Sequence, residues 1–161
     1  EQLSAARRFS LACPALPTCG LAMSESERAM PSVVDRFEDA FSTLGLRDVP
    51  ITMRMTGCPN GCSRPYTADI AFVGRRPDVY HVYVGGGLAG DRVADLFAAD
   101  VEIDQLVPTL QPLLSAWAVD RRNGESLSDF YQRKLERDTP RQMITGKEEA
   151  TKPLIELRIA R

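Results

Sequence analysis

The stretch Ile51-Thr-Met-Arg-Met-Thr-Gly-Cys-Pro-Asn-Gly-Cys62 changes character halfway along. Its first six residues alternate, with Ile51, Met53 and Met55 on one side, which is the period-two signature of a half-buried strand. Its last six cannot continue that strand, because Gly57, Pro59 and Gly61 punctuate it and Cys58 to Cys62 enclose a Pro-Asn-Gly turn. A strand therefore delivers the chain directly to a pair of cysteines. Arg54 lies opposite Met53 and Met55 by alternation, and reads as a surface or subunit-facing charge.

Further along the chain, residues 67–73 and 79–84 are rich in Ile, Phe, Val and Tyr and flank the polar turn Gly74-Arg-Arg-Pro-Asp78, which predicts an antiparallel hairpin. Gly85 to Gly87 mark either a sharp turn or a close approach to a cofactor. A short helix is expected at about 91–98. A longer one at 103–122 carries Leu106, Leu110, Leu113, Leu114 and Trp117, with Pro108 and Pro112 bending or interrupting it. Another short helix is expected at 126–135, anchored by Phe130 and Tyr131. Residues 138–152 read as a polar loop, with 153–159 as a candidate terminal strand.

On the N-terminal side, Val33, Val34, Phe37, Ala40, Phe41 and Leu44 recur at helical spacing, which predicts an amphipathic helix over 32–44 ending at Gly45. Ser24-Glu-Ser-Glu27 reads as a capping box opening a helix, with Pro31 forcing a break or a fresh start. A hairpin mixed with helices and no repeating βαβ unit gives an α+β domain, with a mixed or antiparallel sheet, helices packed on it and cysteine-bearing loops at strand and helix ends.

The other two cysteines of the chain form the pair Cys13-Pro-Ala-Leu-Pro-Thr-Cys19. From spacing alone, four thiols admit a structural zinc, disulfides, buried unpaired thiols or an iron–sulfur cluster. Two pairs in loops flanked by Pro and Gly suit the cluster, because loop amides can donate hydrogen bonds to sulfur. In the second loop the amides of Asn60, Gly61 and Ser63 are candidate donors, while Pro59 removes one and stiffens the turn.

The segments Leu11-Ala-Cys-Pro-Ala-Leu-Pro-Thr-Cys-Gly-Leu-Ala-Met-Ser-Glu-Ser-Glu-Arg28 and Met53-Arg-Met-Thr-Gly-Cys-Pro-Asn-Gly-Cys-Ser-Arg-Pro-Tyr66 closely resemble the sirohaem-containing assimilatory sulfite reductases, whose wider group includes the nitrite reductases. Ala71-Phe-Val-Gly74, Val84-Gly-Gly-Gly87 and Leu127-Ser-Asp-Phe130 extend the resemblance over about residues 10–135. The resemblance implies that Cys13, Cys19, Cys58 and Cys62 hold a [4Fe–4S] cluster, with Cys62 bridging to the sirohaem iron. Asn60 either stabilises its own turn or contacts sirohaem, and Arg64 is either solvated or pairs with the carboxylates of the macrocycle. His81, the sole histidine, is not expected to ligate the haem.

The resemblance further implies six-electron reduction of sulfite to sulfide, with electrons from ferredoxin or an NADPH-linked flavoprotein. The alternatives are a ferredoxin–nitrite reductase fragment and a non-catalytic iron–sulfur or zinc interaction module. Glu1 opens the chain and few residues precede Cys13. The chain is therefore expected to be a C-terminal portion of a larger enzyme, with residues 1–137 as the cluster- and sirohaem-binding domain and 138–161 as a tail. The Arg and Lys residues that grip the substrate are expected in the remaining N-terminal part. Alone, the chain is expected to be inactive and to hold neither cofactor stably.

Composition agrees with a globular domain: 161 residues, 43% hydrophobic and 26% charged, with a formal net charge of −2. No run approaches the length of a membrane span. The slight basic excess after residue 120 is no nucleic-acid signature, and a cytoplasmic location without membrane or nucleic-acid partners is the expectation.

Overall fold

A computed structural model describes residues 3–138. Five strands form one sheet in sequence order: β1 (Ser10–Ala12), β2 (Met53–Thr56), β3 (Ile70–Arg76), β4 (Val79–Val84) and β5 (Asp95–Glu102). β1 pairs parallel with β2 and β2 parallel with β3, while β3–β4 and β4–β5 are antiparallel. Four helices accompany the sheet: α1 (Ala5–Arg8), α2 (Met30–Thr43), α3 (Leu106–Asp120) and α4 (Leu127–Asp138). The α+β class and the mixed sheet expected from the sequence are both present.

One face of the sheet is apolar, and it makes the core. Met53, Met55, Ile70, Phe72, Tyr80, Val82, Val84 and Val101 join the buried stripes of α2 and α3 in a single cluster. Phe37 of α2 meets Phe41 and Phe72 with ring centroids 5.8 Å apart in each pair. Burial of this cluster is the main stabilising term, because apolar surface leaves water in proportion to its area. α2 ends as its sequence dictates: Gly45, at φ +69°, lets Leu46 N–H reach Phe41 C=O (2.7 Å) and Gly45 N–H reach Ser42 C=O (3.2 Å), a Schellman closure.

The opposite face is mixed in character, buried at Ala71 and Val73 in its middle and open at Leu11 and Leu96 towards its edges. The register places Leu11, Arg54, Ala71, Tyr83 and Leu96 in one row across all five strands. A 3₁₀ turn at Pro65–Thr67 accompanies this row, and Tyr66 packs edge-on against Tyr83 at 5.1 Å.

Three sequence expectations need correction. No helix opens at Ser24: Ser26 spends its hydroxyl on Met55 C=O (2.7 Å) and Glu27 N–H binds Cys13 C=O (3.1 Å), so the segment is tied to the sheet and α2 starts at Met30. The segment 91–98 is not a short helix, since Asp95–Glu102 pairs along the free edge of β4. Pairing satisfies backbone groups that a helix would have left open on β4, and this tertiary demand outweighs local helix propensity. α3 runs unbroken through Pro112, while Pro108 falls in its first turn, where no intrahelical bond is lost.

The strand and hairpin expectations at 51–56, 67–73 and 79–84 match β2, β3 and β4, and the helix at 126–135 is α4, opened by Ser126 and Asp129 bonded to each other (2.8 and 3.1 Å). The candidate strand at 153–159 lies outside the described residues.

Candidate functional site

Parallel strands finish at the same edge of a sheet, and the segments leaving their carboxyl ends gather there. β1 ends at Ala12 and Cys13 follows; β2 ends at Thr56 and Gly57-Cys58 follow. The second loop, from Gly57 to Asp69, is itself the crossover that returns the chain to the parallel strand β3, a role usually given to a helix.

Hydrogen bonds lock the two loops together. Cys13 N–H binds Met55 C=O (3.2 Å), and Gly57 N–H donates to Cys13 Sγ (3.3 Å). Met23 and Ser24 N–H both bind Gly57 C=O (2.8 and 3.1 Å). Gly57 has no room for a side chain: a Cβ there would stand 2.6 Å from Ala15 Cβ and 2.7 Å from Ser24 C=O. That close approach brings the loop of Cys13–Cys19 against the start of the loop of Cys58–Cys62.

The four thiols differ in setting. Cys58 is buried, Cys13 and Cys19 are partly covered, and Cys62 is exposed. Burial pushes the Cys13 thiol up, but its hydrogen bonds with the Thr56 hydroxyl and the Gly57 amide outweigh it, and the net shift is downward. An N–H donor to sulfur is the interaction that tunes an iron–sulfur centre. Among the described residues, no three His, Cys, Asp or Glu side chains are gathered closely enough to hold one metal ion. All four cysteines are free, and none is bonded to another.

Around Cys62 the loop is braced from the sheet. Ser63 Oγ donates to Met55 C=O (2.8 Å). Arg54 Nη1 donates to the carbonyls of Ser63 (3.4 Å) and Arg64 (3.0 Å) and to Thr67 Oγ1 (3.2 Å). Arg54 is therefore a half-buried strut, where its position suggested a surface or subunit-facing charge. Burial, and after it Arg64, push its pKa down. Asn60 and Arg64 are exposed on the two sides of Cys62. Tyr66 hydroxyl donates to Pro59 C=O (3.3 Å), closing the turn from outside.

At the far end of the crossover, Asp69 is buried with each carboxylate oxygen doubly satisfied. Oδ2 accepts from Thr52 N–H (2.9 Å) and Oγ1 (2.8 Å), and Oδ1 from Ser128 N–H (3.1 Å) and Oγ (2.7 Å). Asp69 thereby pins the loop to the start of β2 and to the N-terminus of α4, where a carboxylate is also favoured by the helix dipole. The triple glycine is a close packing of chain on chain: a Cβ at Gly86 would meet Tyr66 C=O at 2.7 Å and Ala68 N at 2.8 Å. His81 Nδ1 accepts from Asp100 N–H (3.0 Å), and burial, then Arg75, lower its pKa. It is spent on the β4–β5 pairing.

Arg54, Ser26, Thr56 and Asp69, with the side chain of Ser63, are the parts of this site that sequence reasoning missed. The alternation in 51–56 did place Arg54 opposite Met53 and Met55. What it lacked was the path of the crossover lying over Arg54.

The family model described as the nitrite and sulphite reductase 4Fe-4S domain matches residues 5–134. The chain is 52% identical over 131 residues to the sulfite reductase [NADPH] haemoprotein beta-component of Methylobacterium nodulans, covering 81% of this chain and 22% of that protein. It is 46% identical over 130 residues to the protein of the same name from a Paenibacillus species, covering 81% and 23%. The chain thus spans about a fifth of the length of these curated relatives. Among solved structures, that of the Mycobacterium tuberculosis NirA protein superposes with a TM-score of 0.70 at 27% identity, over 82% of this chain and 26% of that one. The sheet order, the cysteine loops at the carboxyl ends of the parallel strands and these similarities have one reading: the chain belongs to the nitrite and sulphite reductase 4Fe-4S domain family.

Proposed function

We propose that this chain is the cluster-bearing part of a sirohaem-dependent sulfite reductase haemoprotein, in which Cys13, Cys19, Cys58 and Cys62 are the four ligands of a [4Fe–4S] cluster and Cys62 also ligates the sirohaem iron. The observation that carries this reading is the joining of the two loops at one sheet edge, with the Gly57 amide aimed at Cys13 Sγ. Four soft thiols are the donor set a cluster needs. When bound, the two groups supply one-electron transfer and an iron atom with an open position for the substrate.

The residues of the chain hold and tune. The Gly57 amide and Thr56 hydroxyl stabilise negative charge on Cys13 Sγ. Cys58, buried at the start of the crossover, is shielded from water, while the exposed Cys62 offers its sulfur to a group outside this chain. Asn60 and Arg64, exposed beside it, suit the polar rim and carboxylates of a sirohaem. Residues 1–137 form the domain of this reading, and the polar segment 138–161 is its tail.

In the complete reductase the substrate is sulfite, gripped by cationic side chains from the rest of the enzyme. The names of the relatives favour an NADPH-linked flavoprotein over ferredoxin as the electron donor, and sulfite over nitrite. In the described residues no helix is long and apolar enough to cross a membrane, which agrees with a cytoplasmic enzyme.

The test is Cys62→Ser in the complete gene product. Its sirohaem absorption bands are expected to shift and sulfite reduction to be lost. An unaltered spectrum would remove Cys62 from the bridging position, and zinc in place of iron and acid-labile sulfide would remove the cluster.

A further inference from the structure

We propose that Arg54 is a positioning residue for Cys62, holding the exposed ligand in place through the backbone that follows it. The inference rests on the reading of Cys62 as a ligand.

An exposed side chain is not fixed by its own packing, and Cys62 is the most open of the four thiols. Its neighbours are fixed instead. Gly61 and Arg64 both take left-handed backbone, at φ +71° and +54°, and Arg64 N–H closes the turn on Gly61 C=O at 2.8 Å. A left-handed conformation costs a non-glycine residue about 1–2 kcal/mol, so something must hold Arg64 there. Arg54 supplies that hold by taking the carbonyls of Ser63 and Arg64 on one nitrogen, with Thr67 beside them. Ser63 Oγ ties the same turn to Met55 C=O.

Arg54 occupies this position at a cost. Among the described residues no carboxylate forms an ion pair with it, its Nε is buried without a hydrogen-bond partner, and burial disfavours its charge. A surface role would need none of this. All three contacts fall on Nη1, so the reach of the side chain and the fixed plane of the guanidinium set the position; a lysine ammonium ends one bond nearer the strand and does not replace it. Groups that orient a ligand from behind commonly change affinity or activity 10- to 100-fold when removed.

The experiment compares Arg54→Met, Arg54→Lys and Ser63→Ala with Cys62→Ser in the complete gene product. Both Arg54 variants are expected to shift the sirohaem absorption bands and lower kcat for sulfite by roughly 10-fold or more, with KM changed by less than about twofold. Ser63→Ala, which removes only the second tie, should shift the same bands by less. If Cys62→Ser alters the spectrum and both Arg54 variants keep the native one, Arg54 does not position the ligand. A native spectrum in Arg54→Lys beside a shifted one in Arg54→Met would mean that charge, not position, matters, and would also overturn the proposal. Should the Arg54 variants fail to fold, a native spectrum in Ser63→Ala decides against it. An unaltered Cys62→Ser spectrum instead identifies failure of the ligand reading itself.

Discussion

Strands β1, β2 and β3 run parallel and end at one edge, whereas β3, β4 and β5 alternate in direction. On the parallel side the chain leaves each strand at the same place, so two segments far apart in sequence meet and put Cys13 beside Gly57. Small and polar residues line those exits, Gly57, Ser26, Thr56 and Ser63, and the three hydroxyls donate to the backbone carbonyls of Met55 and Cys58. On the antiparallel side the turns fall at opposite ends, and of them the glycine run after β4 packs on the crossover at Tyr66 and Ala68. The strands of that side back onto α3, through Tyr80, Val82 and Val101. One side of the sheet positions chemistry and the other supplies much of the stability, because apolar burial and hydrogen-bonded loop geometry are different physical resources.

The largest stability effect is expected on the antiparallel side. Leu110 of α3 is fully buried in the shared core. Leu110→Ala should cost about 2–5 kcal/mol through lost transfer energy and the cavity left behind. Urea unfolding measures it, and molecules that remain folded should keep native cofactor bands. If those bands change while stability does not, the division between the two sides is wrong.

Gly57→Ala should reverse that pattern. The added Cβ has no space against Ala15 and Ser24, and the overpacking should cost about 1–3 kcal/mol, less than the Leu110 cavity. By forcing the two cysteine loops apart, it should nevertheless reduce iron and acid-labile sulfide per chain in the complete protein. Full cluster content in Gly57→Ala would show that the close loop contact is dispensable.

The smallest effect is electrostatic and lies between α4 and the segment that precedes it. Arg133 holds Glu125 through bonds of 2.6 and 2.7 Å and lowers its carboxyl pKa to about 2. A carboxyl whose folded pKa is depressed contributes stability above its unfolded pKa, and that contribution is lost as pH falls towards the folded value. Stability should therefore decline between about pH 4.5 and pH 2, by on the order of 1 kcal/mol for this part-buried pair. Arg133→Met should flatten that part of the pH profile in urea titrations. A slope equal to that of the unsubstituted protein would assign the decline to other carboxyls.

Much of this was legible in the chain itself. Helix α2 announces itself through Val33, Val34, Phe37 and Phe41 at helical spacing and through Gly45 at its end, because local periodicity and a left-handed cap need no distant partner. The β3–β4 hairpin is equally local. β1 was not legible: Ser10–Ala12 is too short to show a period and is a strand only because β2 lies beside it. β5 was misread as helix for the same reason, since the open edge of β4 decided its conformation. The cysteines were identifiable from their pairing, but the supporting residues were not. Arg54 and Asp69 act on partners that sequence distance hides: Arg64 and Thr67 for one, Thr52 and Ser128 for the other.

The sequence by itself determined the helices with strong periodicity, the hairpin, the α+β class and the two cysteine pairs, all of which rest on neighbours within a few residues. Only the tertiary structure decided that β1 and β2 lie parallel, that their exits meet at Gly57 and that Arg54 braces the turn after Cys62. Those features depend on backbone groups finding partners across the sheet, and a hydrogen bond between distant segments leaves no periodic trace in the chain that makes it.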